Sequence, residues 1–302
     1  VGPVVEEISN AFDAYWNADL VYPGGAMSDK ATIDDLADVR KRTGAFLASQ
    51  KDLLSTYRDG PSPRVSGVLG QLPAIMATGE AHFIQDDPTT MDGQELRLID
   101  MLEYISEPSR SEIIFVTPYL IPVKGSLDHL SKTAKRGVGV KILTSSMGAN
   151  NHTAAHSHYK KYRRRILGTG AELFEFRHDP SRKTREISNV DPVEATFISL
   201  HIKAIVSDRK RCFVGSLNLD PRALDINTEN GLYIASPGLC GALADEFETL
   251  MAPDNAWRVT TDENNDLHWQ SSAGTTSVQP ARSFWQRIAD FFFRLLPIES
   301  QL

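Results

Sequence analysis

His201-Ile202-Lys203-Ala204-Ile205-Val206-Ser207-Asp208-Arg209-Lys210-Arg211-Cys212-Phe213-Val214-Gly215-Ser216-Leu217-Asn218 is the stretch that decides how this 302-residue chain is read. Two short apolar runs separated by five polar residues predict two strands, His201 to Val206 and Cys212 to Gly215, joined by a turn. In a strand, residues two apart leave the same face, so His201 and Lys203 project together. The returning strand then delivers Gly215, Ser216 and Asn218 beside the start of the first. A neutral imidazole is a nucleophile towards phosphorus, and an adjacent ammonium offsets charge as the pentavalent transition state forms. Gly215 permits close backbone approach, while the Ser216 hydroxyl and the Asn218 amide donate to phosphate oxygens. Asp208, at the strand end, suits a structural role in the turn better than proton transfer.

Outward from this hairpin, short apolar runs alternate with helical stretches, the pattern of an α/β layer. Further strands are expected at His82 to Gln85, Ile113 to Thr117, Val138 to Thr144, Glu172 to Phe176 and Leu232 to Ala235. Helices are expected at Met91 to Ser106, Ser126 to Arg136, His156 to Leu167 and Leu239 to Met251. Such alternation implies a mixed, largely parallel sheet covered on both faces. Before this domain, placed at residues 81–260, residues 1–20 have the spacing of an amphipathic helix, and 26–80 reads as a connector with a helix from Ile33 to Tyr57. After it come a polar linker, 261–280, and an amphipathic helix in 281–302. That last helix gathers Phe284, Trp285, Ile288, Phe291, Phe292 and Leu295 on one face, opposite Arg287, Asp290 and Arg294.

The composition, 41% apolar, 24% charged and 8% aromatic, excludes a disordered, collagen-like or disulfide-stapled chain. Net charge is −7, but it is segregated: residues 132–211 hold 17 Lys plus Arg against 7 Asp plus Glu, leaving 15 against 32 elsewhere. The acidic remainder, with no platform of interleaved aromatics, argues against nucleic acid as partner. Part of the basic excess, Lys160, Lys161, Arg163, Arg164 and Arg165, lies within six positions and cannot all face one site. The two cysteines, Cys212 and Cys240, have no metal-ligand spacing, and a reducing compartment fits them.

The quoted stretch resembles the signature of the phospholipase D superfamily, His-x-Lys-x4-Asp followed after six residues by Gly-Ser-x-Asn. Six matched residue types at roughly 5% usage each have a chance of about 10^-8 per starting position, so coincidence is negligible. His158-Tyr159-Lys160 is a decoy, since Arg165 stands where the Asp should be. The resemblance implies a phospholipase D-like α/β/α sandwich, with His201, Lys203 and Asp208 as the motif and Ser216 and Asn218 as phosphate-binding groups. In the superfamily a carboxylate at the offset of Glu229 holds the histidine through its other ring nitrogen. No metal or cofactor is implied.

Gly215 to Arg222, Asn227 to Leu232, Thr117 to Pro122 and Leu296 to Glu299 look like the bacterial cardiolipin synthase C group. That likeness implies phosphatidyl transfer between phospholipids through a phosphohistidine, with phosphatidylglycerol as acceptor and phosphatidylethanolamine as donor. It also places His156 near the pocket and the protein peripherally on the cytoplasmic side of the bacterial inner membrane. One departure is larger than the agreements: superfamily members use two such motifs across a pseudo-twofold axis, and here there is one. The start at Val1 rather than Met fits a chain cut after a first domain, with residues 1–25 as that domain's tail. The chain is then one complete half of a two-domain enzyme; a homodimer completing the site by symmetry is the rival. Hydrolysis by a phospholipase D or nuclease, or an inactive fragment, are the other readings. The final helix either packs on the domain or meets a membrane surface.

Overall fold

The computed structural model describes residues 2–19, 21–27, 31–51, 67, 70–72, 74, 76–87, 103–188 and 195–302. The chain divides into two compact units, one of Val1–Phe12 with Thr78–Leu302 and one of Asp13–Ala77. Helix α1 (Val4–Trp16) starts in the first unit, where Glu7 accepts a hydrogen bond from the backbone of Phe83 at 2.7 Å. The second unit carries α2 (Gly24–Met27) and α3 (Ile33–Ser49). A capping box opens α3: Thr32 accepts from the Asp35 amide while Asp35 accepts from the Thr32 amide. The expected helices at Met91 to Ser106 and beyond Lys51 lie largely outside the described residues.

The larger unit is built on one ten-stranded sheet in the order β1-β7-β6-β5-β2-β3-β4-β8-β9-β10. The strands are β1 (Glu80–Gln85), β2 (Glu112–Val116), β3 (Gly139–Ser145), β4 (Glu172–Phe176), β5 (Ala204–Ser207), β6 (Arg211–Gly215), β7 (Asn230–Ala235), β8 (Ala256–Thr261), β9 (Leu267–Ser271) and β10 (Gly274–Thr276). Only β2 with β3 and β3 with β4 are parallel; the other pairings are antiparallel. The sheet is mixed as expected, but not largely parallel. A hairpin joins β5 to β6 as expected, and a second hairpin, which the helix-strand alternation concealed, joins β8 to β9. Residues 261–280, expected as a linker, supply β9 and β10, and Trp269 of β9 is buried in the core.

Helices cover both faces: α4 (Ser126–Lys135) and α6 (Arg163–Leu167) on one, α9 (Pro237–Met251) on the other, with α5 (Thr153–Tyr159), α7 (Arg182–Ser188), α8 (Pro221–Asp225) and α10 (Phe284–Phe293) at the strand ends and rim. The period of two sorts the core. Ile113, Phe115, Val140, Ile142, Ile205 and Phe213 pack with Leu127, Leu130 and Ile166, whereas Ile114, Val116, Leu143, Val206 and Cys212 pack with Ala244, Phe247 and Leu250. The helix expected from His156 to Leu167 is two, α5 and α6, separated at Lys160–Tyr162. Cys212 and Cys240, expected as thiols, form a buried disulfide between β6 and α9, with Cα atoms 5.6 Å apart. The register of two neighbouring elements, not sequence spacing, brings them together.

The β5–β6 hairpin closes through Asp208 and Arg209, both left-handed at φ 51° and 56°, with the Lys210 amide bonded to the Ser207 carbonyl at 3.0 Å. This is the geometry of a type I′ turn, reached without glycine. Its strain is offset by tethering. The Asp208 carboxylate accepts from the amides of Arg110 (2.9 Å), Ser111 (2.8 Å) and Glu112 (3.1 Å) and from the Ser111 hydroxyl (2.8 Å). Burial raises its pKa, but these bonds outweigh that and hold it down at about 2. Because the folded pKa is depressed, the stabilisation is present above the unfolded value and lost as pH falls towards 2. Asp208→Asn is expected to lower unfolding stability by about 1 to 3 kcal/mol at neutral pH. In parallel urea melts the gap from wild type should narrow between pH 4 and 2.

Candidate active site

The residues of the signature converge on one edge of the sheet. β2 and β3 end there, β5 and β7 begin there and β6 ends there. His201 and Lys203 sit in the extended segment just before β5, which starts at Ala204 rather than at His201. Ser216 and Asn218 follow β6, Glu229 precedes β7, and Tyr119 follows β2. The imidazole of His201 is exposed, not packed in hydrocarbon. Its only ring contact among the described residues is the edge of Tyr119, with centroids 6.4 Å apart. Partial burial and then the nearby Lys203 charge push its pKa below the ordinary 6.5, which keeps the ring neutral and nucleophilic.

Lys203 donates to the His201 backbone carbonyl at 3.0 Å, and its charge acts on the His201 ring. Burial lowers its pKa, while Glu229 and Asp220 act in the other direction. Glu229 is buried and does not bond His201. It accepts from the Ser216 hydroxyl and, at 3.0 Å, from Asn227 Nδ2, and its own amide donates to Asp86 at 2.9 Å. The expected clasp on the imidazole is therefore a clasp on Ser216, which also takes the Asn230 amide at 3.0 Å. Asn218 is half-buried, with its Oδ1 enclosed and without a partner among the described residues. Its NH2 is a donor of the kind that suits a phosphate oxygen.

Gly215 is required, but by packing. A Cβ there would lie 2.2 Å from the Asn230 carbonyl and 2.7 Å from the Phe213 ring, and one on the paired Gly231 would lie 2.3 Å from the same ring. Asp208 sits in the turn at the other end of β5, away from the site edge. His156 is overturned as a phosphate ligand: it is fully buried, and both ring nitrogens are engaged. Arg163 Nη2 donates to Nε2 at 3.0 Å, so Nδ1 carries the proton and donates to Asp290 at 2.8 Å. Burial first, then Arg163, lower its pKa against the pull of Asp290, so the ring is neutral.

The basic cluster is likewise spent internally. Arg163 is buried against Glu175 at 2.5 Å, Lys160 pairs with Asp290, Lys161 meets Glu299 at 3.1 Å and Arg164 donates to the Asn265 carbonyl. His158 is buried on α5 and bonds Glu299 at 3.0 Å. Sequence reasoning missed Tyr119, Asn151 and His152. Tyr119 donates to Asn151 Oδ1 at 2.7 Å, and its ring lies 5.9 Å from that of His152. A tyrosine directly after a strand and a proline, at the edge where the motif strand starts, was the available signal. A cavity of about 450 Å³ lies behind this segment, lined by Leu120, Ile121, Leu219 and Leu224 on its apolar side. Among the described residues no cluster of His, Cys, Asp or Glu has the geometry of a metal site.

Residues 101–251, half of the chain, match the family described as cardiolipin synthase, PLD-like domain. The chain is 28% identical to cardiolipin synthase C of Escherichia coli K12, over 99% of its own length and 64% of that protein's. It is 25% identical to cardiolipin synthase A of Pectobacterium carotovorum over 61% of its length and 30% of the relative's. Among solved structures, the phosphatidylserine synthase of Haemophilus influenzae Rd KW20 superposes with a TM-score of 0.50 at 14% identity, covering 80% of this chain and 56% of that one. This likeness concerns the fold. The chain spans less than two thirds of the curated relatives it matches. With the signature gathered at one sheet edge and the family matched over half its residues, the chain belongs to the cardiolipin synthase family of PLD-like domains.

Proposed function

We infer that the chain is one half of a phosphatidyltransferase that makes cardiolipin. The observation carrying this reading is an exposed, neutral-poised His201 with Lys203 bonded to its backbone carbonyl, at the sheet edge that also presents Ser216 and Asn218. His201 attacks the phosphorus of a donor phospholipid such as phosphatidylethanolamine. The P–N bond forms as the P–O bond to the headgroup alcohol breaks. A second histidine, from the motif this chain does not contain, protonates the departing oxygen. The same group then takes the proton from the free hydroxyl of phosphatidylglycerol, whose oxygen displaces the imidazole and leaves cardiolipin. Lys203 and Asn218 stabilise the equatorial oxygens throughout. Glu229 fixes the Ser216 hydroxyl in place.

In this reading the second motif comes from another domain of a longer protein or from a second copy of the chain. Peripheral attachment to a bacterial inner membrane goes with the lipid substrates. The side follows from the redox state of Cys212 and Cys240 in cells: trapping with an alkylating reagent should find the bridge at an oxidising face and two thiols in the cytoplasm.

Two further experiments test the chemistry. Thin-layer analysis of mixed phospholipids should show cardiolipin formed by a two-motif protein containing this half, and none by its His201→Ala variant. As a monomer, the 302-residue chain alone should be slower by about 10^2 to 10^4, the usual value of general acid catalysis. Phosphatidic acid as the sole product would make the protein a hydrolase and overturn the transferase reading. Secondly, proton NMR of the isolated chain should titrate His201 with a midpoint below 6.5. Lys203→Met removes the neighbouring positive charge and should move that midpoint upward.

A further inference from the structure

The C-terminal helix is docked the opposite way round from an ordinary amphipathic surface helix. Its inward side is polar. Asp290, only 1% exposed, bonds the buried His156 and pairs with Lys160, and Gln286 Nε2 donates to the Met147 carbonyl at 2.6 Å. The outward side carries Phe284 (69% exposed), Trp285 (74%), Phe291 (51%), Phe292 (62%) and Leu295 (61%). On a 3.6-residue period these five span one continuous face. Arg287 and Arg294 flank it, and neither has an acidic partner among the described residues. Arg294 lies over the Phe291 ring at 6.0 Å. The one acidic residue of the helix is withdrawn into the interior.

We propose that this face binds an anionic lipid surface, with the aromatic side chains at the headgroup boundary and Arg287 and Arg294 on phosphates. An aromatic stripe whose only free charges are cations complements an anionic bilayer. Removing large apolar side chains from water is favourable, so leaving five of them in it without a partner is costly. The polar clasp explains why the apolar face stays outward: turning it inward would take Asp290 away from the buried His156 and from Lys160. Position adds function. Just before the helix, Arg282 donates to the Asn150 carbonyl at 3.3 Å, and the next residues, Asn151 and His152, contact Tyr119, whose ring meets His201. The lipid-binding face is thereby mounted on the loop that borders the nucleophile.

Vesicle flotation of the 302-residue chain tests this directly, and because it reads binding, its result is independent of whether His201 transfers phosphatidyl groups. Phosphatidylcholine vesicles containing phosphatidylglycerol should bind about thirtyfold more tightly than phosphatidylcholine alone, the effect of two surface arginines. Arg287→Glu with Arg294→Glu should erase that preference. Trp285→Ser with Phe292→Ser should weaken binding to both vesicles while leaving the circular dichroism spectrum unchanged, since both side chains are exposed. Equal binding to the two vesicle types, or binding indifferent to the Trp285 and Phe292 changes, overturns the proposal. So does loss of a chain-chain complex in those variants without any vesicle binding, which would assign the face to a second copy.

Discussion

Three consecutive amides at the entry to β2 point at one carboxylate, and the rest of the site depends on that contact. Asp208 ties the closed end of the β5–β6 hairpin to the start of β2. With one end of the central strands pinned, antiparallel pairing sets where the other ends emerge. His201 and Lys203 enter β5, Ser216 and Asn218 leave β6, and Tyr119 leaves β2, all at the opposite edge. The signature aspartate thus acts at a distance, as register control rather than as an acid or base.

A second interior depends on charge instead of hydrocarbon. Glu175 on β4 accepts from Arg163, Tyr159 and Trp269, and Arg163 passes the connection through the neutral His156 to Asp290 on α10. Each member is satisfied, which is the condition under which a buried polar network is tolerated. Removing any one would leave its neighbours with uncompensated buried groups, so the network acts as a unit that fixes where the C-terminal helix can sit.

The motif, most strands and the helices flanking the hairpin were legible because period and spacing are local properties. β4 was read to the residue, and β1, β3 and β6 to within two. Outside the β5–β6 hairpin, strand direction was not legible, because parallel and antiparallel neighbours share the same alternation. The polar strand β9 was hidden, since His268 and Gln270 around Trp269 resemble a loop. In the site, the hairpin read from residue types puts His201, Lys203, Ser216 and Asn218 at one edge, where the strand register also has them. The partners of Glu229 and His156 depend on side chains far away in sequence, Ser216 in one case and Asp290 in the other, and no local pattern announces them. The amphipathic pattern of α10 was plain, but periodicity gives the axis of a helix face and not which side meets protein.

The glycine at position 215 carries a last consequence. Its lack of a side chain answers to two neighbours at once, the Asn230 carbonyl and the ring of Phe213, and the same ring lies across Gly231 on the adjacent strand. A smaller residue at 213 would open space beside both glycines but leave the Asn230 carbonyl against position 215 and the Val214 carbonyl against position 231. Backbone, not the ring alone, therefore excludes a side chain at either position. Both glycines should persist through descent even where the ring is exchanged, independently of which phosphodiester is turned over.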